Sequence, residues 1–292
     1  MRHLLLFIDG LGIGKNHAGA NPLARFQSRF LSIFSDMPLP HLPFDGIVIP
    51  TAVDMGVPGL PQSATGQAAL FTGRNATKEL GHHKSGWPTP TLRRIIDESS
   101  IFKTVAALGK KGVFANALSQ EYFTRRGERI SATTRALLAG GFPWLNIEDL
   151  RAGRAVSHDL TNEFLRAMDE DVPLRQPEDS ARILAEIARQ ADFTLFEFIL
   201  TDIVGHSRDM HAAREVVQRL DILLDEVLSH LDLNETTVLL TSDHGNFEDL
   251  SIKTHTMNFV PTCVWGAGRA LFGVQGLRVE NLAGLMREAL VL

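Results

Sequence analysis

The chain has 292 residues, 44% of them hydrophobic and 22% charged, which is long enough for a large apolar core and too apolar for a disordered segment. Its net charge of −5 argues against a polyanion-binding surface, and so against nucleic acid as a partner. The single cysteine, Cys263, lies in the apolar run VPTCVWG and reads as a core residue; no disulfide can form within the chain. No apolar stretch approaches membrane-spanning length, and the opening run LLLFI is stopped by Asp9 before it reaches the size of a signal-peptide core. The expectation is a soluble cytoplasmic protein without a membrane partner.

In chain order, HLLLFID is a continuous apolar run closed by Asp9-Gly10, the pattern of a strand buried on both faces. GLPQSATGQAALFTG follows, with Ser63 and Thr65 in a turn that opens a helix. The loop NATKELGHHKSGWPTPTLRR comes next and offers His82, His83, Lys84 and Trp87. SIFKTVAALGKKG predicts a helix with a glycine stop, and KGVFANALS a strand. The rhythm breaks between residues 122 and 176, where mixed charge and a Gly-Gly-Phe-Pro turn suggest a small cap inserted in one domain spanning 1–292. It resumes with the helix DSARILAEIARQAD, the strand LFEFILTD, the helix AAREVVQRLDILLDEVLSHL, the strand TTVLLTSD and a last strand at TCVWG. Strands alternating with helices predict an α/β fold: a three-layer α/β/α sandwich around a mostly parallel sheet.

The acidic residues fall where chemistry is expected in such a fold. Asp9, Asp202 and Asp243 each come at the carboxyl end of a predicted strand, the edge where open α/β sheets build their ligand sites. Asp202 and His206 are four apart, so a helix begun just after the strand puts both on one side, with Gly205 leaving room for a metal. Asp243-His244 precedes Gly245, which permits a sharp bend, and His255 in KTHTMNFVP precedes another apolar run. Carboxylates mixed with imidazoles favour Zn²⁺ or Mn²⁺ over Ca²⁺, which prefers oxygen, and over thiolate-bound metals. The supply of donors matches two divalent ions.

The ordered motifs Asp-Gly, Ser/Thr-Gly, DxVGH, SDHGN and HTxNxVP span Asp9 to Pro261 and resemble the metal-binding core of the alkaline phosphatase superfamily, in particular its cofactor-independent phosphoglycerate mutase and phosphopentomutase branch. The resemblance implies that Asp202, His206 and His255 bind one metal and Asp9, Asp243 and His244 the other, with Ser63 as nucleophile beside the second. Thr65 is the fallback. A hydroxyl at a helix N-terminus meets backbone N–H groups that receive phosphoryl oxygens, although out of context Ser63 or Thr65 reads better as a helix cap.

The implied function is two-metal phosphoryl transfer through a phosphoserine, with a small phosphorylated metabolite as partner. Because the only candidate lid is the short 122–176 stretch, hydrolysis by a phosphatase or phosphodiesterase is expected over isomerisation by a phosphoglycerate or phosphosugar mutase. The alternative of another class is a non-catalytic metal-binding protein. Asn16, His82, His83 and Lys84 are candidate substrate contacts. Arg125 and Arg126 either point down from the cap or form a solvated face, and His158 is expected to cap a helix near Asp159.

Overall fold

In the computed structural model, which describes residues 1–168 and 170–292, six strands form one sheet. They are β1 (Arg2–Ile8), β2 (Ile47–Thr51), β3 (Gly112–Phe114), β4 (Phe193–Phe198), β5 (Thr236–Thr241) and β6 (Val260–Gly266), in the spatial order β2-β6-β5-β1-β4-β3. β1 lies at the centre, paired in parallel with β4 through Leu5↔Leu195 and with β5 through Leu5↔Leu239. β3 extends the parallel set beyond β4, whereas β6 runs antiparallel to both β5 and β2.

The continuous apolar runs follow from burial on both faces. Leu4, Leu6 and Ile8 of β1 point into one core with the helices Pro177–Arg189 and Met210–His230; Leu5 and Phe7 point into the other, with the helices Ser63–Thr72, Pro90–Ser99 and Val279–Val291. Side chains alternate along a strand, so a run apolar at every position needs a helical layer on each side. Cys263 is fully buried in the first core. The expected three-layer α/β/α architecture is the observed one.

β2 was not among the expected strands. Its Pro50 lowers strand propensity, and the strand survives because it sits at the sheet edge, where a missing N–H is tolerated. The last strand begins earlier than TCVWG suggested, at Val260. Within 122–176, the helix Ala132–Ala139 buries Ala132, Ala136 and Leu137 in the second core, so this part of the stretch is built into the helical layer. A separate small cluster of Ala117, Ile147, Leu150, Ala155, Leu165 and Val172 holds much of the rest.

Strand direction places the motifs. The parallel strands β1, β4 and β5 end at one edge of the sheet: Asp9 follows β1 directly and Asp243 lies just beyond β5, whereas β4 stops at Phe198 and Asp202 falls in the helix Leu200–Ser207 rather than at the strand end that LFEFILTD suggested. β6 is antiparallel and therefore begins at that edge, which is why His255 precedes its strand rather than following it.

Leu6→Ala, in the central strand and fully buried, is expected to cost about 2–5 kcal/mol in urea unfolding, whereas Leu174→Ala, 57% exposed, stays within about 0.5 kcal/mol of wild type.

Candidate active site

The first cluster forms around Ser63. This residue is the first of the helix Ser63–Thr72; Gln62 stands at the N-cap without a side-chain capping bond, so the Ser63 hydroxyl is released from a capping role. Ser63 Oγ lies 3.0 Å from His244 Nε2, and the same nitrogen is 3.3 Å from Asp9 Oδ1 and 3.6 Å from Asp243 Oδ2. Thr65 is engaged elsewhere: its hydroxyl donates to the carbonyl of Gln62 at 3.1 Å and accepts from the Lys84 amide at 3.2 Å. Gly66 allows the helix to approach the carboxylates, since a Cβ there would stand 2.9 Å from the Cβ of Asp243.

The second cluster adjoins it. The helix Leu200–Ser207 begins directly after β4 and carries Asp202 and His206 one turn apart, with His206 Nε2 3.4 Å from Asp202 Oδ2. His255 Nε2 is 3.2 Å from His206 Nε2 and 3.7 Å from Asp202 Oδ1. The His255 and His244 rings stack at 3.7 Å, so His244 is within reach of both clusters. Nδ1–H of His255 donates to the Pro61 carbonyl at 2.9 Å, which leaves Nε2 with its lone pair toward the cluster. The space beside Gly205 belongs to Asn246 rather than to a metal. A Cβ at Gly205 would sit 2.6 Å from Asn246 Cγ, and the Asn246 amide donates to Asp202 Oδ1 at 2.7 Å.

Burial gives these groups unusual electrostatics. Asp9 is pushed well above the ordinary carboxylate range by loss of water, then by the nearby Asp243 and Asp202; Asp243 is raised by burial and then by Asp202. His244 is held well below its ordinary value by burial and by the adjacent His255. Asp9 Oδ1 and both carboxylate oxygens of Asp243 are buried without a hydrogen-bond partner. Orphaned oxygens and imidazole nitrogens converging in this way fit a divalent cation, because it supplies the charge and the contacts that the chain does not.

Sequence reasoning missed the residue that holds these loops together. Glu248, fully buried, accepts from the amides of Gly12 at 3.0 Å and Asn246 at 2.8 Å, from Asn258 Nδ2 at 3.0 Å and from the Thr256 hydroxyl. It thus joins the loops after β1 and β5 to the segment before β6. Its position five residues after Asp243 gave no sign of this, because the bonds run to a distant part of the chain. Gln67, on the Ser63 helix, was also unremarked; its Nε2 faces Asp9 Oδ2 at 3.5 Å.

A cavity of about 450 Å³ opens from Ser63 and Asp9. Gln67, Trp87, Asn116, Arg126, His158 and Glu197 are among its lining residues. Glu197 is half-buried and receives the Thr133 hydroxyl at 2.9 Å; loss of water around it raises it to about 7. His158 lines the wall against Phe164, and burial lowers it to about 4. It does not cap the local turn, because Asp159 accepts the amides of Thr161, Asn162 and Phe164. Arg126 lies over the Trp87 ring at 4.5 Å, whereas Arg125 pairs with Glu121 at the surface.

The candidate substrate contacts lie outside this cavity. Asn16 is exposed, its amide bonded to Asp36 and its side chain to Met37. His82, His83 and Lys84 line a shallow depression with Gln62, and His83 Nε2 is 3.0 Å from the Val57 carbonyl.

Two tests follow from these contacts. Glu248→Ala strands buried amides of the Gly12 and Asn246 loops and is expected to lose about 3 kcal/mol or more in denaturant unfolding. Glu197, at about 7 in the fold against 4.5 ordinarily, stays protonated while the unfolded chain gives up its proton. Relative to Glu197→Gln in chelator, wild-type stability should therefore fall by up to about 3 kcal/mol as pH rises from 4.5 to about 7 and level off above; chemical melts across that range check it.

The family described as the Metalloenzyme superfamily matches residues 173–288. The 2,3-bisphosphoglycerate-independent phosphoglycerate mutase of Pyrococcus abyssi is 22% identical over 246 residues; the match covers 74% of this chain and 58% of that protein, so the chain spans less than two thirds of this relative's length. Among solved structures, the cold-active alkaline phosphatase of Shewanella sp. superposes with a TM-score of 0.57 at 13% identity, covering 99% of this chain and 100% of that one. A Pyrococcus horikoshii protein superposes at 0.60 with 16% identity, covering 99% and 96%. Among the described residues no helix is long and apolar enough to cross a membrane. Residues 173–288 are similar to the Metalloenzyme superfamily, and the chain as a whole has an alkaline phosphatase-like fold.

Proposed function

We propose that this protein is a phosphatase or phosphodiesterase that transfers a phosphoryl group from a small phosphate ester to Ser63 and then to water. One observation carries the reading. A hydroxyl stands at the head of a helix, 3.0 Å from His244 Nε2, beside the buried carboxylates of Asp9 and Asp243, of which Asp9 Oδ1 and both Asp243 oxygens have no hydrogen-bond partner.

Asp9, Ser63, Asp243 and His244 would hold one divalent cation, and Asp202, His206 and His255 a second; the donor chemistry suits Zn²⁺ or Mn²⁺. Bound cations lower the pKa of a coordinated hydroxyl and offset charge on the transferring group and the departing oxygen. The chain does the rest. The Ser63–Thr72 helix fixes Oγ for in-line attack on phosphorus, and the amides of Ser63 and Ala64, in its first turn ahead of any i−4 acceptor, face incoming phosphoryl oxygens. The new Oγ–P bond forms as the ester P–O bond breaks, and the alcohol leaves toward the cavity with a proton. Water then attacks phosphorus from the vacated side, releasing phosphate and restoring the Ser63 hydroxyl.

The curated relative named as a phosphoglycerate mutase favours a second reading, in which a substrate hydroxyl captures the group in place of water. Retaining a phosphoserine requires water to be shut out, and the 122–176 stretch, partly committed to the second core, leaves little chain for a closing lid.

Release of nitrophenol from 4-nitrophenyl phosphate is expected with Mn²⁺ or Zn²⁺ present and at least about a thousandfold less from Ser63→Ala. No release with any divalent metal, from wild type as from the variant, would favour a non-catalytic metal-binding protein. In ¹⁸O-labelled water a hydrolase incorporates label into free phosphate, whereas a mutase product carries none.

Asp243→Asn is expected to lower bound metal by one ion in elemental analysis. In chelator the same variant should melt no lower than wild type, since it removes a repelling buried charge. Unchanged metal content would contradict the ligand assignment.

A further inference from the structure

The cavity that meets Ser63 has walls unlike those expected for a small polyanion. Among its described lining residues Arg126 is the one cation, while Glu197 places a carboxyl group in the wall. The remaining wall is dominated by apolar side chains, Phe114, Leu118, Phe164 and Ile199 among them. Trp87 and Phe164 keep 37% and 38% of their surface exposed, an arrangement that leaves large apolar faces in water until something covers them.

Arg126 makes no ion pair among the described residues, and its guanidinium carbon lies 4.5 Å from the centre of the Trp87 ring. Such a pair forms a shelf whose cationic plane and ring both favour contact with an aromatic group. A compact substrate carrying a carboxylate as well as a phosphate would find only this one cation to receive its second charge, and would meet Glu197.

Resting on the phosphoryl-transfer reading above, we propose that this cavity receives the organic group of the ester, and that this group is uncharged and largely aromatic or apolar, in contrast to the compact polyanion named for the mutase relative. The volume of about 450 Å³ accommodates one or two rings beside the phosphate. The neutral His158 offers a hydrogen bond to a hydroxyl or heteroatom on that group, while Asn116 is held by the Glu197 backbone. Specificity then resides in burial, and the phosphate is recognised separately by the Ser63 end of the site.

The test is equilibrium binding of phenylphosphonate, methylphosphonate and 3-phosphoglycerate to the cation-loaded protein by calorimetry, alongside Trp87→Ala, Trp87→Phe and Phe164→Ala. Phenylphosphonate is expected to bind about tenfold or more tightly than either of the others, as burial of a ring predicts. Trp87→Ala and Phe164→Ala should each shrink the phenyl-to-methyl preference several-fold, and Trp87→Phe should restore most of it. Equal affinity for the two phosphonates, tighter binding of 3-phosphoglycerate, or a preference untouched by both alanine variants overturns the inference while 4-nitrophenyl phosphate hydrolysis leaves the phosphoryl-transfer reading standing. Failure of both phosphonates to bind, together with absence of hydrolysis, overturns that reading and the inference with it.

Discussion

The structure is organised around three carboxylates, Asp9, Asp202 and Asp243, brought to one edge of the sheet, where the described residues place no lysine or arginine in salt-bridge contact with them. Asp9 and Asp243 are buried, and on top of what burial does, Asp243 and Asp202 raise the proton affinity of Asp9 and Asp202 raises that of Asp243. Charges so placed repel one another and lack water, so the chain holds an arrangement that is unfavourable until a cation or protons neutralise it. Strand direction makes the convergence unavoidable: parallel β1, β4 and β5 deliver their carboxyl ends together, and antiparallel β6 delivers the segment carrying His255.

Holding such a cluster requires a rigid frame, and the frame is polar. Glu248 gathers two backbone amides and two side chains from three loops, Asn246 fixes Asp202 from the space left by Gly205, and the Pro61 carbonyl sets the proton of His255. These contacts make the geometry insensitive to the repulsion inside it. Placing Ser63 at the first helical position, with Gln62 rather than a hydroxyl residue at the cap, completes the arrangement by leaving one hydroxyl free to face the cluster.

Much of this was legible in the chain because the relevant signals are local. An apolar run that stops at an aspartate marks both a buried strand and its functional end, and Asp202 to His206 reads as one helical turn. What was hidden depends on approach between distant segments. Glu248 and Gln67 carry no pattern of their own; they matter because of what β1 brings beside them. Edge strand β2 is masked by Pro50, and the capping role lies with Asp159 while His158 turns into the cavity. The loop histidines at 82 and 83 and Lys84, grouped by charge in the sequence, instead line a separate depression with Gln62, with Lys84 tied to Thr65 through its backbone.

The most direct measurement is an anomalous-scattering map from crystals grown with Mn²⁺. The account predicts two peaks, one within coordinating distance of Asp9, Ser63, Asp243 and His244 and one within coordinating distance of Asp202, His206 and His255. Saturating Mn²⁺ with no peak at this sheet edge, or with peaks only elsewhere on the chain, would contradict it.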